Sequence, residues 1–272
     1  MTTDTAVPVE PAVVTSHQVR DVVTLLRRNL KNQLRDKVGF LTPLLIPVIF
    51  MLLFVYVFGG ALGKGTAGYG GDHYVDFILP GLLIMSATAG LVAIATGTAV
   101  DMNEGIITRL RTMPVFGHAI LIARLISYVI QTMISLAVVL GVALLIGLSP
   151  TGDPVRWLLL VGFLLYVSIA LTWLGLAFGL AARSVAAASN GPFPLIILPL
   201  VGNGIVPPET MPTAVRYFAE YQPFSPMIAT VRGLLLETAI GNNAVIGLAW
   251  ATAFGVLGFF WSMRSFTRER PS

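Results

Sequence analysis

Long apolar stretches alternate with short polar ones along this chain, and the apolar stretches have the length of membrane-spanning helices. A run of about 20 apolar residues crosses the hydrocarbon core of a bilayer as a helix. The short alternating segments typical of a membrane β-barrel are absent from the sequence. The pattern predicts an all-α integral membrane protein with six spans in one domain, 39–264, at residues 40–62, 74–100, 118–147, 156–181, 187–206 and 244–263.

The segment that precedes the first span, residues 17–38, is amphipathic. Apolar residues recur at helical spacing on one face, from Val19 to Leu34, and cations occupy the other. Such a helix lies in the membrane interface with its cations toward anionic headgroups. Residues 1–16 and 265–272 are predicted as tails, the first of them disordered. The cations of the interfacial helix are Arg20, Arg27, Arg28, Lys31 and Arg35.

A polar island at residues 101–117 separates two of the most apolar stretches. Charged residues alternate there with apolar residues at helical spacing, and Pro114 closes the pattern, which predicts a short amphipathic helix at the membrane surface. A loop that only connects two spans needs just a few polar residues, so we interpret this helix as a docking site. The alternative is that the same helix lies on the membrane surface without a partner. The residues of the predicted docking helix include Glu104, Ile106, Ile107, Arg109, Leu110, Arg111 and Met113.

Composition supports the prediction of a membrane protein, and the distribution of charge predicts the orientation of the chain in the membrane. The chain is 56% hydrophobic and 11% charged, whereas soluble domains contain about 25% charged residues. With the N-terminus in the cytoplasm, 13 of the 17 Lys and Arg residues lie on the inner side. The positive-inside rule therefore predicts that both termini are cytoplasmic. Only Lys64, Arg156, Arg216 and Arg232 lie outside.

The fifth span and several glycine pairs deviate from a plain apolar helix. Prolines and glycines crowd residues 187–206, so this stretch cannot be one regular helix. The more polar residues 207–243 are predicted to form short helices outside the membrane or folded back into its outer leaflet. Gly175 and Gly179, four residues apart, permit close helix packing, and Gly59 with Gly63 has the same spacing.

The sequence contains no pattern typical of an enzyme. The three histidines fall in different segments, cysteine is absent, and no metal site or catalytic residue is predicted. Asp72 and Asp76 are interpreted as exposed acids at the outer membrane surface rather than an acid–base pair. Arg124, near the inner end of the third span, is expected to snorkel. No acid lies at a clear mid-span position, which counts against an ion-coupled carrier.

Three segments resemble those of ABC type-2 exporter permeases, and most closely the daunorubicin-resistance type. They are MNEGIITRLRTMPV at 102–115, YQPFSPMIATVRGLLLE at 221–237 and YVDFILPGLL at 74–83. The resemblance extends over residues 17–264 in the same order. It implies external re-entrant helices after a broken fifth span, and a non-catalytic permease subunit in the bacterial plasma membrane that exports a hydrophobic or amphiphilic drug.

The resemblance also implies partners and site residues. Two permease subunits, as a homodimer or a related pair, would join two cytosolic ABC ATPase subunits, which bind the ATP and Mg²⁺; this chain would contact membrane lipids but no nucleic acid. A coupling helix at about 103–113, begun by Glu104 and Gly105, would enter a groove of the ATPase. Asn103 departs from the basic residue that many relatives carry there. The substrate path would follow the first, second and fifth spans, with Asn190, Phe193 and Asn203 as candidate lining residues.

Other functions remain open at this point. A lipid or polysaccharide exporter of the same family is the nearest alternative, although channels for such cargo are often rich in aromatic residues and these spans are mainly aliphatic. An ion-coupled carrier, a membrane-embedded enzyme and an immunity protein that shields the bilayer are further alternatives.

Overall fold

The computed structural model describes residues 18–59, 74–105, 117–204 and 211–267, and every regular element in these ranges is helical. Five helices among the described residues are long and apolar enough to cross a membrane, which confirms the prediction of an all-α membrane protein. The helices are α1 (Gln18–Arg35), α2 (Lys37–Leu53, continued by a π-helical turn, Phe54–Phe58), α3 (Tyr74–Asn103), α4 (Gly117–Ile146), α5 (Pro154–Ala181), α6 (Val185–Asn190), α7 (Phe193–Val201), α8 (Thr213–Tyr221), α9 (Phe224–Leu236) and α10 (Asn243–Thr267).

Two predicted boundaries need correction. The interfacial helix ends at Arg35 rather than at residue 38, and α2 begins at Lys37. The reason is Asp36, whose carboxylate accepts a hydrogen bond from the Gly39 amide at 3.0 Å and caps the start of α2. At the other end of the chain, α10 continues to Thr267, beyond the predicted start of the tail. Residues 1–16 lie outside the described residues.

The predicted fifth span is interrupted, as its composition indicated. It consists of α6 and α7, separated at Gly191 and Pro192. Neither piece is long enough to cross a bilayer by itself. α7 packs against α3 and α9, so neighbouring helices cover part of the broken backbone.

α3 forms the centre of the bundle and packs against α2, α4, α5, α7 and α9. Its most apolar window is 83% buried inside the protein, compared with 11% for α2. α5 approaches α3 closely at Gly175 and Gly179, where a Cβ atom would overlap the backbone carbonyl oxygens of Leu91 and Ala95. The prediction that these two glycines mark a close helix contact is therefore confirmed.

α9 is buried against the start of α3. Arg232 donates hydrogen bonds to the carbonyl oxygens of Phe77 at 3.2 Å and Asn203 at 2.7 Å, and its guanidinium lies 4.5 Å from the centroid of the Phe77 ring. The Arg-containing helix of residues 221–237 therefore joins the second span to the end of the broken fifth span.

Asp76, at the start of α3, is not an exposed acid. Its side chain is buried, with 1% of the residue exposed, and a carboxylate oxygen accepts a hydrogen bond from the Ser149 amide at 3.2 Å. The connection between α4 and α5 provides this donor. The expectation of surface exposure was therefore wrong for Asp76, and Asp72 lies outside the described residues.

Candidate functional site

A cavity of about 530 Å³ lies between α1, α2, α3 and α4, with Ile196 of α7 also on its wall. Its size falls within the range of roughly 300–1,000 Å³ that is usual for pockets holding drug-sized ligands. α2 and α3 contribute apolar wall residues, such as Val38, Ile46 and Val92. α1 and α4 contribute most of the polar residues: Asn29, Asn32, Gln33, Arg124, Tyr128 and Gln131.

An ion pair lies on the polar side of this cavity. Nη2 of Arg124 lies 2.7 Å from a carboxylate oxygen of Asp101 and donates a second hydrogen bond to the Gly97 carbonyl at 2.9 Å. The Arg124 side chain is only 10% exposed and that of Asp101 is 29% exposed. Arg124 therefore does not snorkel as expected, because a carboxylate and a carbonyl of α3 hold it inside the bundle.

α1 is attached to the same region of α4. Its Leu25, with Val22 and Leu26 beside it, packs against the start of α4, and the Gln33 amide nitrogen donates to the Ser127 hydroxyl at 3.3 Å. Leu34, which the periodicity placed on the apolar face, is 64% exposed. All five predicted cations, Arg20, Arg27, Arg28, Lys31 and Arg35, are exposed, as an interfacial position requires.

α4 carries a row of polar residues that faces the cavity and continues into the bundle. Arg124, Tyr128, Gln131 and Ser135 follow one another at intervals of three or four residues, so they share one helix face. Gln131 and Ser135 are buried and donate hydrogen bonds to backbone carbonyls of α2. This polar face is visible in the sequence as a period within an apolar stretch, although the sequence does not identify its partners.

The start of the predicted coupling helix needs correction. Asn103 is the last residue of α3, and Glu104 is exposed in the turn that follows. Gly105 has a φ of +69°, a left-handed conformation that commonly ends a helix. Asn103 therefore belongs to the second span, and Glu104 and Gly105 form the turn that ends it. The rest of the docking segment lies outside the described residues: Ile106, Ile107, Arg109, Leu110, Arg111, Met113 and Pro114.

The three candidate path residues are not gathered in one site. Asn190 and Phe193 are exposed near the break between α6 and α7. The backbone carbonyl of Asn203 binds Arg232. None of the three lines the cavity, to which the fifth span contributes Ile196 instead. Among the described residues, no three His, Asp or Glu side chains are arranged to hold a metal ion.

The fold and the cavity define a class of protein: an all-helical, multi-pass membrane protein with a ligand-sized cavity. The chain belongs to the ABC-2 type transporter family, which matches residues 20–236. It is therefore the membrane-spanning transport subunit of an ABC exporter in a bacterial membrane, and ATP hydrolysis belongs to a separate ABC ATPase subunit. The resemblance in the three sequence segments is thereby confirmed at the level of the family.

Named relatives agree with this placement. The chain is 29% identical over 221 residues to the daunorubicin resistance ABC transporter permease protein DrrB1 of Streptomyces coeruleorubidus, which covers 79% of this chain and 74% of that protein. It is 22% identical over 236 residues to the probable doxorubicin resistance ABC transporter permease protein DrrC of Mycobacterium tuberculosis, which covers 86% of this chain and 84% of that protein.

Proposed function

We propose that this subunit exports a hydrophobic or amphiphilic drug-like compound, which enters the cavity between α1, α2, α3 and α4. The observation that carries the proposal is the cavity itself, with about 530 Å³ of space, apolar walls on α2 and α3 and a polar side on α1 and α4. An amphiphile matches both surfaces. Two relatives are named for resistance to such drugs, daunorubicin and doxorubicin.

The same proposal includes an orientation and an assembly. The distribution of Lys and Arg supports cytoplasmic termini. With this orientation the cavity would lie in the inner half of the membrane, because Asp101, near the end of α3, lines it. Two copies of the permease, or two related permeases, would assemble with two ATPase subunits that bind ATP and Mg²⁺. The segment around 103–113 would contact the ATPase close to the cavity.

A polysaccharide or lipid-linked glycan is the second candidate cargo. Sugar rings pack well on flat aromatic surfaces, and the cavity has two aromatic wall residues, Phe40 and Tyr128. Its other apolar wall residues are aliphatic. This composition favours a compact amphiphile over a sugar chain.

Two variants in which phenylalanine replaces an alanine test the proposal. The permease is reconstituted with its ATPase in liposomes, and uptake of daunorubicin is measured after ATP is added outside, so that only inside-out complexes are active. Ala93→Phe fills space on the cavity wall, so we expect the apparent KM for the drug to rise at least about tenfold. Ala249→Phe, on an exposed face of α10, is the matched control and should transport normally.

The result separates the two parts of the proposal. Equal transport by both variants would remove the cavity from the substrate path. Absence of ATP-dependent transport for daunorubicin and for neutral amphiphiles, in vesicles where ATP hydrolysis is intact, would contradict drug export. Uptake of a lipid-linked glycan in the same vesicles would support the second candidate.

A further inference from the structure

The first span has two interruptions in its backbone hydrogen bonding. α2 contains Pro43 and Pro47, and proline has no N–H to donate to the carbonyl four residues earlier. The carbonyl oxygens of Gly39 and Pro43 therefore lose their usual partners. Pro43 lies within the first span, where such an oxygen needs a donor from elsewhere in the protein, whereas Gly39 is exposed at the start of the span.

α4 provides both donors. The Gln131 side-chain nitrogen donates to the Gly39 carbonyl at 3.3 Å, and the Ser135 hydroxyl donates to the Pro43 carbonyl at 3.1 Å. The two donors are four residues apart on α4, and so are the two carbonyls on α2. Two neighbouring helices with the same rise per residue can therefore form both bonds at once.

α3 supports this arrangement through a third side chain, Ser86. The oxygens of Ser86 and Ser135 are 2.9 Å apart. Because Ser135 has one hydroxyl proton and directs it to Pro43, Ser86 is the donor in this pair. All of these donors are buried: Ser86, Gln131 and Ser135 are 1%, 6% and 3% exposed. A continuous chain of hydrogen bonds therefore runs from α3 through α4 to α2.

Little of α2 is buried in the bundle: 11% of its most apolar window lies inside the protein. Pro47 and Met51 are its fully buried residues. The residues that α2 contributes to the cavity wall, from Val38 to Ile46, lie in the same stretch as the two accepted hydrogen bonds. A change in these bonds would therefore move a wall of the cavity.

We propose that Gln131 and Ser135 are positioning residues that hold the proline-interrupted first span against the third span and thereby set the shape of the cavity. The structural part of this inference stands by itself. Its consequence for substrate affinity rests on the proposed export function.

Removal of each proline gives a specific rescue experiment. In Pro43→Ala the new amide can bond to the Gly39 carbonyl, so Gln131→Leu should have a smaller effect in this background. Pro47→Ala should rescue Ser135→Ala in the same way. The crossed combinations, Pro47→Ala with Gln131→Leu and Pro43→Ala with Ser135→Ala, are matched controls that should show no rescue.

The position of α2 is measured by thiol labelling of the purified permease in detergent. The native chain has no cysteine, so Ile46→Cys places a single thiol on the cavity wall. We expect Gln131→Leu or Ser135→Ala to raise the rate of modification by a water-soluble maleimide about threefold. Loss of one typical interhelical hydrogen bond in a membrane shifts an equilibrium between two positions of α2 by about this factor. The matched proline substitution should return the rate to that of the proline variant alone.

Transport in the reconstituted complex provides a second measurement. A positioning role predicts that the apparent KM for daunorubicin rises about threefold while kcat is retained. A general loss of stability would lower the amount of active protein and leave KM unchanged.

Each result decides the question. Unchanged labelling in both single variants would overturn the proposal, as would rescue by the crossed prolines to the same extent as by the matched ones. If Gln131→Leu does not yield folded protein, the smaller Ser135→Ala change and its Pro47→Ala rescue decide alone. Matched rescue of labelling without ATP-dependent transport of daunorubicin or of neutral amphiphiles would support the positioning role and contradict the proposed function.

Discussion

The ion pair between Asp101 and Arg124 leads to a stability prediction that depends on burial rather than distance. Asp101→Asn keeps the shape of the side chain and removes its charge. The Arg124 guanidinium, 10% exposed, then retains the Gly97 carbonyl and an uncharged amide as partners. Because this cation stays in the bundle without a compensating charge, the folded state loses free energy.

The magnitude follows from the exposure of the two side chains. Breaking a fully buried pair costs roughly 3–5 kcal/mol, and an exposed pair contributes roughly 0–1 kcal/mol. Arg124 is nearly buried, but Asp101 is 29% exposed. We therefore expect Asp101→Asn to lower the free energy of unfolding by about 2 kcal/mol. Arg124→Met should cost about 1 kcal/mol, because water can still reach the remaining carboxylate.

A double-mutant cycle measures the pair itself. Unfolding of the purified permease in mixed micelles is followed by tryptophan fluorescence, since the chain has four tryptophans. The double variant should be about as stable as Arg124→Met alone, which gives a coupling free energy of about 2 kcal/mol. Additivity of the two single changes within about 0.5 kcal/mol would refute the argument.

An ion pair on the surface, with the same distance between its charged nitrogen and oxygen atoms, is the control. Arg216 and Glu220 are also 2.7 Å apart, but their side chains are 47% and 38% exposed. Glu220→Gln should change the free energy of unfolding by less than about 0.5 kcal/mol. A loss equal to that of Asp101→Asn would mean that burial does not set the strength of these pairs.

Three further predictions concern other parts of the bundle. Gly175→Ala should destabilise the protein by about 1–3 kcal/mol, because the added Cβ meets a backbone oxygen of α3; Gly162→Ala on the same helix has open space and should be neutral or stabilising in the same unfolding assay. Arg232→Met should lower the melting temperature of the permease, because two carbonyls lose their donor; an unchanged melting temperature would contradict this. Arg109→Glu should abolish transport while the protein still inserts in the membrane, and normal daunorubicin export by this variant would exclude its docking role.

Much of the secondary structure could be read from the sequence because local properties determine it. Apolar length indicated the spanning helices, and the glycine and proline content indicated the break at Gly191 and Pro192. The spacing of Gly175 and Gly179 indicated a close helix contact. Helix ends were less accurate, because a single cap such as Asp36 decides where one helix stops and the next begins.

The partners of the polar side chains could not be read in this way. Arg124 forms an ion pair with Asp101, which precedes it by 23 positions, and Gln131 donates a hydrogen bond to Gly39, which precedes it by 92 positions. In a membrane, the residues that face lipid are as apolar as those that face another helix, so hydropathy does not show which face of a span packs inward. The burial of Asp76, the cavity and the hydrogen bonds to α2 therefore follow from how the helices pack, whereas the helices themselves follow from the order of apolar and polar residues.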